Sequence, residues 1–330
     1  MFVVGGGMRV DYLITHKGEA HNGLVGGNAV YGAVGAALWH DHIALWGRIG
    51  ENYPLAWLNT LAAFGIQVDG VSQVAGEHDH RTFYAYMPGG KREDTQPRLH
   101  FDRIGLSFPP ELMGYVHSTP GQDDPEVYEP LALQPGDWPE QYGGAVGVHL
   151  APLSLRTHML LPAFLRQQGV KLITVDPGER YMIPELLPYI QQVLAQVDVF
   201  LPSKSEVRSL FGDDVEIEEA ARRLAQWGPE LVVVKCGANG ILVHEKSTDR
   251  STRILPWHAP GDDMIVDVTG AGDSFCGGFL VGLARSGDCY YAARRGLVSS
   301  SLVIEGYGAT YALTRPKEVA LERFRQISLA

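Results

Sequence analysis

The chain predicts a doubly wound α/β domain: a mostly parallel sheet flanked by helices, with a small β-sheet lid projecting from it. Three observations carry that expectation. Short apolar strands alternate with helix-period segments along most of the 330 residues, the order that parallel βαβ units produce. Glycines cluster where strands hand over to helices or turns, at Gly26 and Gly27, Gly237 and Gly240, and Gly270 and Gly272. Such turns let backbone close on a ligand. Finally, the stretch 88–144 holds nine of the 20 prolines, and this excludes long helices there.

Residues 2–4 form an opening strand, followed by three glycines. The Gly26-Gly27 turn enters a long helix of small residues over 28–39. A strand at 42–46 and a helix around 55–64 continue the alternation. Between 71 and 86 the pattern changes: Thr82, Tyr84 and Tyr86 alternate with Phe83 and Ala85, as in a half-covered strand. Segments of about 11–25 and 72–103 are expected to build the lid, and 122–144 reads as an extended insertion. Regular alternation resumes with strands at 146–150, 172–175, 199–201, 231–235 and 241–244. Helices at 155–167, 184–196 and 218–227 connect them, with a short helix after 203. Two closing helices fall at 288–304 and 316–327. The whole of 1–330 reads as a single domain.

Composition narrows the function classes. A net charge of −11 argues against nucleic acid or an anionic membrane as partner, since both need a basic face. Three scattered cysteines, Cys236, Cys276 and Cys289, make neither a disulfide framework nor a zinc site. They read as buried thiols of a reducing compartment. With no membrane-length apolar run and no basic leader, the expected location is cytoplasmic. The His-Asp-His triplets at 40–42 and 78–80 lack further ligands at useful spacing and read as solvated turns. No Walker A pattern occurs, so a P-loop kinase is excluded at the level of motif.

The strongest chemistry lies in DVTGAGDSF, residues 267–275. Cys276, Phe279, Leu280 and Leu283 then recur on one helical face. Gly270 and Gly272 leave the turn without side chains, and the helix N-terminus favours negative charge through free N–H groups and the macrodipole. Asp273 sits in the first turn, where an ordinary cap would also sit. An anion hole beside a carboxylate suits phosphoryl transfer to an alcohol.

This string resembles the signature of the ribokinase-like (PfkB) carbohydrate kinases. The resemblance implies that Asp273 is the catalytic base and that Gly270, Ala271 and Gly272 form the anion hole. Val268 stands where the family usually has threonine. Asp11 matches an aspartate that binds sugar hydroxyls. Gly26, Gly27 and Asn28 resemble the second signature, at the substrate. Tyr31 replaces the usual asparagine five residues after the first glycine, which suggests an altered pocket. Residues 47–50 resemble the G-R-x-G segment, and Asp176 to Arg180 resembles D-P-N-x-R with Gly178 for asparagine.

On the nucleotide side, Glu206 resembles the glutamate of N-x-x-E, which organises the water shell of Mg²⁺. Ser203 takes the asparagine position and would also suit a helix cap, with Glu206 completing a capping box. Lys235, Gly237 and Gly240 resemble a segment at the nucleotide phosphates and ribose. Asp267, with the segment near Gly308, matches a site for a monovalent cation such as K⁺ in some relatives. The cofactors implied are therefore ATP, Mg²⁺ and that cation. Arg103, in 98–103, loosely resembles an arginine that meets a sugar carboxylate.

The expected activity is ATP-dependent phosphorylation of a hydroxymethyl group on a sugar or sugar-like alcohol. Two alternatives stand beside it. A nucleoside kinase would use Tyr31 and the lid aromatics to stack a base. A non-catalytic sugar- or nucleotide-binding member would have no use for Asp273. Expected partners are a small-molecule sugar or nucleoside and a second copy of the chain, forming a homodimer through the lid.

Overall fold

Apolar runs bracketed by turn residues become the strands of the core. The computed structural model describes residues 1–87, 92–117 and 120–327. In chain order the elements are β1 (Phe2–Gly5), β2 (Arg9–Ile14), β3 (Ala20–Gly26), α1 (Asn28–Ala37), β4 (Ile43–Ile49), α2 (Leu55–Ala63), β5 (Ile66–Gln73), β6 (Arg81–Tyr86), β7 (Arg92–Glu93) and α3 (Pro97–Arg103). After an irregular stretch come β8 (Gly147–Leu150), α4 (Leu155–Gln167), β9 (Leu172–Val175), α5 (Leu187–Leu194), β10 (Val199–Phe200), α6 (Lys204–Phe211) and α7 (Ile217–Gln226). The chain closes with β11 (Leu231–Lys235), β12 (Ile241–Glu245), β13 (Arg250–Ile254), α8 (Ala271–Ser286), α9 (Cys289–Val303) and α10 (Lys317–Gln326).

Nine strands form the main sheet in the order β13-β12-β11-β10-β9-β8-β1-β4-β5. From β5 to β11 every pair is parallel, and β12 and β13 add an antiparallel edge. Parallel strands need both faces covered, so they read as unbroken apolar runs such as Leu231, Val232, Val233 and Val234, all buried. One face packs on α1, α2, α8, α9 and α10, the other on α4 to α7. The sheet winds in opposite directions from its middle: β1 pairs with β4 on one side and with β8 on the other. Ligands in such sheets sit outside the carboxyl ends at that reversal.

A second, four-stranded sheet has the order β3-β2-β6-β7. Its inner face carries Asp11 on β2 and Thr82, Tyr84 and Tyr86 on β6, because side chains alternate along a strand. Its outer face carries Tyr12, Ile14, Phe83 and Ala85, packed under Phe101 and Leu112.

Several expectations need correction. The small sheet does not begin at 72: β5 keeps pairing with β4 as far as Gln73. Residues 97–103 form α3, with Pro97 preset for the first helical turn and Phe101 buried against the sheet. Residues 88–91 of the expected lid lie outside the described residues. β13 has no counterpart among the expected strands, because Arg250, Ser251, Thr252 and Arg253 carry little apolar signal. The 122–144 insertion contains two short 3₁₀ turns, Pro135–Asp137 and Glu140–Tyr142. It buries Leu133 and Tyr142 against the main sheet. No helix among the described residues is long and apolar enough to cross a membrane.

Candidate active site

α8 starts at a turn that a side chain could not make. Gly270 has φ of 74°, and a Cβ there would lie 2.1 Å from Cδ1 of Tyr31. Tyr31 is thus buried against the turn, with its hydroxyl 3.4 Å from Asp11 Oδ2. Ala271 spends its N–H on the Val268 carbonyl at 3.2 Å. The turn thus bends that N–H back on itself, and Gly272 and Asp273 follow it in the first turn of α8.

Asp273 lies in that first turn, half-buried. Burial raises its pKa to about 6, opposed by Lys235 and reinforced by Asp11. Asp11 is 2% exposed and accepts a 2.7 Å hydrogen bond from Thr82 Oγ1. Burial lifts it likewise to about 6, against that bond. Gly26 permits the approach, since a Cβ there would sit 1.9 Å from Asp11 Oδ2. Gly27, at φ 99°, precedes α1 as its N-terminal cap residue. Asn28 takes the Gly7 N–H at 2.7 Å and donates to the Pro152 carbonyl at 2.7 Å. It pins the ends of β1 and β8 together, and it also lines the larger cavity.

Beneath the turn lies a buried charge cluster. Lys235, at the end of β11, forms an ion pair with Asp176, and a Cβ at Gly272 would lie 3.6 Å from its Nζ. Burial opposes the ammonium charge, but Asp176, Cys276 and Glu206 outweigh it, so the lysine stays protonated. Glu206 closes a capping box with Ser203: Ser203 N–H donates to its Oε2 at 2.6 Å, and its own N–H donates to Ser203 Oγ at 3.2 Å. Burial and then Asp176 push its pKa up to about 7. Asp176 Oδ1 is buried without a hydrogen-bond partner. Ser203 therefore serves as a cap, and it is not among the residues lining either large cavity.

Two cavities open near the carboxyl ends of the strands, and the smaller one reaches this turn. One of about 540 Å³ is lined by Lys235, Gly237, Gly240, Ala271 and Gly272 at one end, and elsewhere by apolar groups including Trp257 and Leu297. The other, about 810 Å³, lies outside the ends of β1, β8 and β9 and under the small sheet, with Arg9, Arg92, Thr82, Tyr84 and Tyr181 in its walls. Tyr86, on the same strand, lines the smaller cavity and bonds Thr269 Oγ1 at 2.6 Å. Asp267 Oδ1 accepts from the N–H and the hydroxyl of Thr269, at 3.0 and 2.8 Å.

The description "pfkB family carbohydrate kinase" matches residues 141–316, more than half of the chain. The chain belongs to that family. It is 27% identical over 310 residues to a cytidine kinase of Thermococcus kodakarensis, covering 93% of this chain and 96% of the relative. Among solved structures it resembles a nucleoside kinase of Burkholderia thailandensis in complex with inosine, at TM-score 0.70 and 16% identity over 99% of this chain and 98% of that one. It also resembles a fructokinase of Vibrio cholerae with fructose, ADP and potassium ion bound, at TM-score 0.68 and 20% identity over 97% of each chain.

In this kinase Arg103 is exposed on α3 and meets Met87 Sδ, and it is not among the residues lining either cavity. The cations that line the larger cavity include Arg9, Arg81, Arg92 and Arg180. Arg92 stacks on Tyr84 with 4.9 Å between guanidinium carbon and ring centroid. Alternation of Thr82, Tyr84 and Tyr86 is the signal for the β6 contribution. Nothing local marks Arg9 or Glu129, which reach the same cavity only through the fold.

Proposed function

We propose that this kinase transfers the γ-phosphoryl group of ATP to a hydroxymethyl group, with Asp273 as base. The observation that carries the reading is Asp273 in the first turn of α8, its pKa raised by burial to about 6, with Ala271 and Gly272 of the same turn in the wall of the smaller cavity. The alcohol oxygen attacks phosphorus and Asp273 accepts its proton. The bond to the β-phosphate oxygen breaks, and ADP leaves. The N-terminus of α8, entered through Gly270, Ala271 and Gly272, supplies the partial positive charge that meets the charge building on the transferred group. With a pKa near 6 Asp273 remains a weak base for an alcohol, so positioning contributes more than basicity.

ATP fits the smaller cavity, its base among the apolar groups and its phosphates toward Lys235, Gly237 and Gly240. Two buried carboxylates, Asp176 and Glu206, face one ammonium, and the orphaned Asp176 Oδ1 suits the water shell of Mg²⁺. Mg²⁺ supplies charge neutralisation on the phosphates. At Asp267 both hydrogen bonds fall on Oδ1, so Oδ2 is the oxygen it offers to K⁺.

A nucleoside is the acceptor that the larger cavity favours. About 810 Å³ exceeds what a single furanose fills, and Tyr84 and Tyr115 stand in its walls beside the planar guanidinium groups of Arg92 and Arg81. The full-length similarity to a cytidine kinase supports this form of the reading. The test is ATP consumption against pentoses, hexoses, acidic sugars and nucleosides, with Asp273→Asn as control. Activity on none of them, or unchanged activity in the variant, would sink the proposal.

A further inference from the structure

We infer that Arg9 and Glu129 form a specificity pair that reads the polar edge of a heterocyclic base. The inference rests on the nucleoside reading above and deepens it. Both residues line the larger cavity. Arg9 and Asp11 lie on the same face of β2, because residues two apart along a strand share a side. Two residues along an antiparallel strand span about 6.8 Å, the scale that separates the ribose hydroxyls from the far edge of the base. A sugar held at Asp11 would therefore leave Arg9, on the same face, within reach of its base.

Glu129 differs from the other carboxylates of this cavity. Asp79 is paired with Arg81 at 2.7 Å, Asp94 with His117 at 3.4 Å and Glu179 with Arg92 at 3.9 Å. Glu129 is only 7% exposed, and it makes no ion pair among the described residues. Burial raises its pKa, and Arg9 is the charge that opposes this. Arg9 spends one N–H on the Asp79 carbonyl at 3.0 Å, out of the five donors a guanidinium carries. A carboxylate acceptor beside a donor fork matches a ring that presents an N–H next to a carbonyl or ring nitrogen. Base edges carry that pattern, and the anomeric methoxy group of a simple riboside does not.

The experiment compares kcat/KM for cytidine and uridine with that for methyl β-D-riboside, in wild type, Glu129→Gln and Arg9→Met. Both ligands share the sugar end, so only a base-reading role moves their ratio. A lost hydrogen bond to a charged group is worth ~10-fold or more, and the nucleoside-to-riboside ratio is expected to fall by that much in each variant. Melting temperature in the absence of ligand checks that the fold is kept. If a variant lowers both substrates equally, or neither, Glu129 and Arg9 serve the scaffold, and the pair is refuted while the nucleoside reading stands. If wild type turns over sugars but no nucleoside, both readings fall. Preference for an acidic sugar that Glu129→Gln improves would also overturn the pair, with Arg9 then meeting the sugar carboxylate.

Discussion

The two cavities differ in chemistry. The smaller one takes the end of β11, the start of β12, the first turns of α8 and one face of α9, together with irregular chain at 256–260 and 265–268, the turn at 237–240, and Thr15, His16, Tyr86 and Met87 beside the small sheet. The larger one draws on the small sheet and on chain near 115–117, 120–122, 129–131, 152–153 and 178–181, and it gathers Arg9, Arg81, Arg92 and Arg180. A mainly apolar wall suits a flat base, and a polar, cationic wall suits an acceptor rich in hydrogen-bonding groups. Ala271 and Gly272 bring the turn before Asp273 into the wall of the smaller cavity.

The comparison is tested first at Asp273. Asp273→Asn keeps the shape and removes the proton acceptor, so turnover should drop about 10²–10⁴-fold while the nucleotide still binds, measured by kcat and by equilibrium titration. In the wild type, protonation of Asp273 as pH falls through about 6 removes the base form, so activity should decline on the acid side. Asp11 titrates near the same value, so the limb reports the two carboxylates together. Activity that holds steady down to pH 5 would contradict this assignment.

Lys235→Met tests the charge beneath the turn. It leaves Asp176 and Glu206 buried without their ammonium, and loss of one partner of a buried pair costs about 3–5 kcal/mol. Denaturant unfolding should show the loss, with a partial return when Asp176→Asn is added. If the single substitution leaves stability unchanged, the cluster is better solvated than its burial implies.

Gly270→Ala places a methyl on the Tyr31 ring at a left-handed backbone position. Activity should fall by about tenfold or more, in line with the 1–3 kcal/mol of such strain. Tyr31→Ala in the same chain should restore part of it by clearing the ring. Failure of the second change to help would place the whole cost in φ. The smallest effect belongs to Arg103→Ala, which should alter kcat/KM less than about twofold, as exposed substitutions do. A tenfold change in acidic-sugar preference would return Arg103 to the site and require α3 to move.

Residue order makes the main sheet readable, since its strands are apolar runs of ordinary length between turn residues. The motif turn is readable for a different reason: Gly270, Gly272 and Asp273 act within one short segment, so spacing alone carries their geometry. Arg9, Glu129 and the Asp176–Lys235 pair are not readable as partners. They lie far apart in sequence, and each is ordinary in its own neighbourhood. Arg103 fails in the opposite sense, because a short helix turns it to the outside. Tyr31 stands out in the sequence as a departure, yet its role as the surface on which Gly270 rests needs the packing of α1 against α8.

The pairing of β2 with β6 has a consequence for how the molecule assembles. Asp11 and Thr82 stand opposite each other in parallel register but 71 residues apart, with β1, β4 and β5 of the main sheet placed around and between them. Closing so long a loop carries an entropic cost that local contacts do not offset. The small sheet can therefore order only after the central strands have brought its two halves together. It would be the last part to fold and the first to open, a sequence that hydrogen exchange can read by comparing β6 amides with those of β8. The chain thereby completes its fold at the same place where its substrate enters.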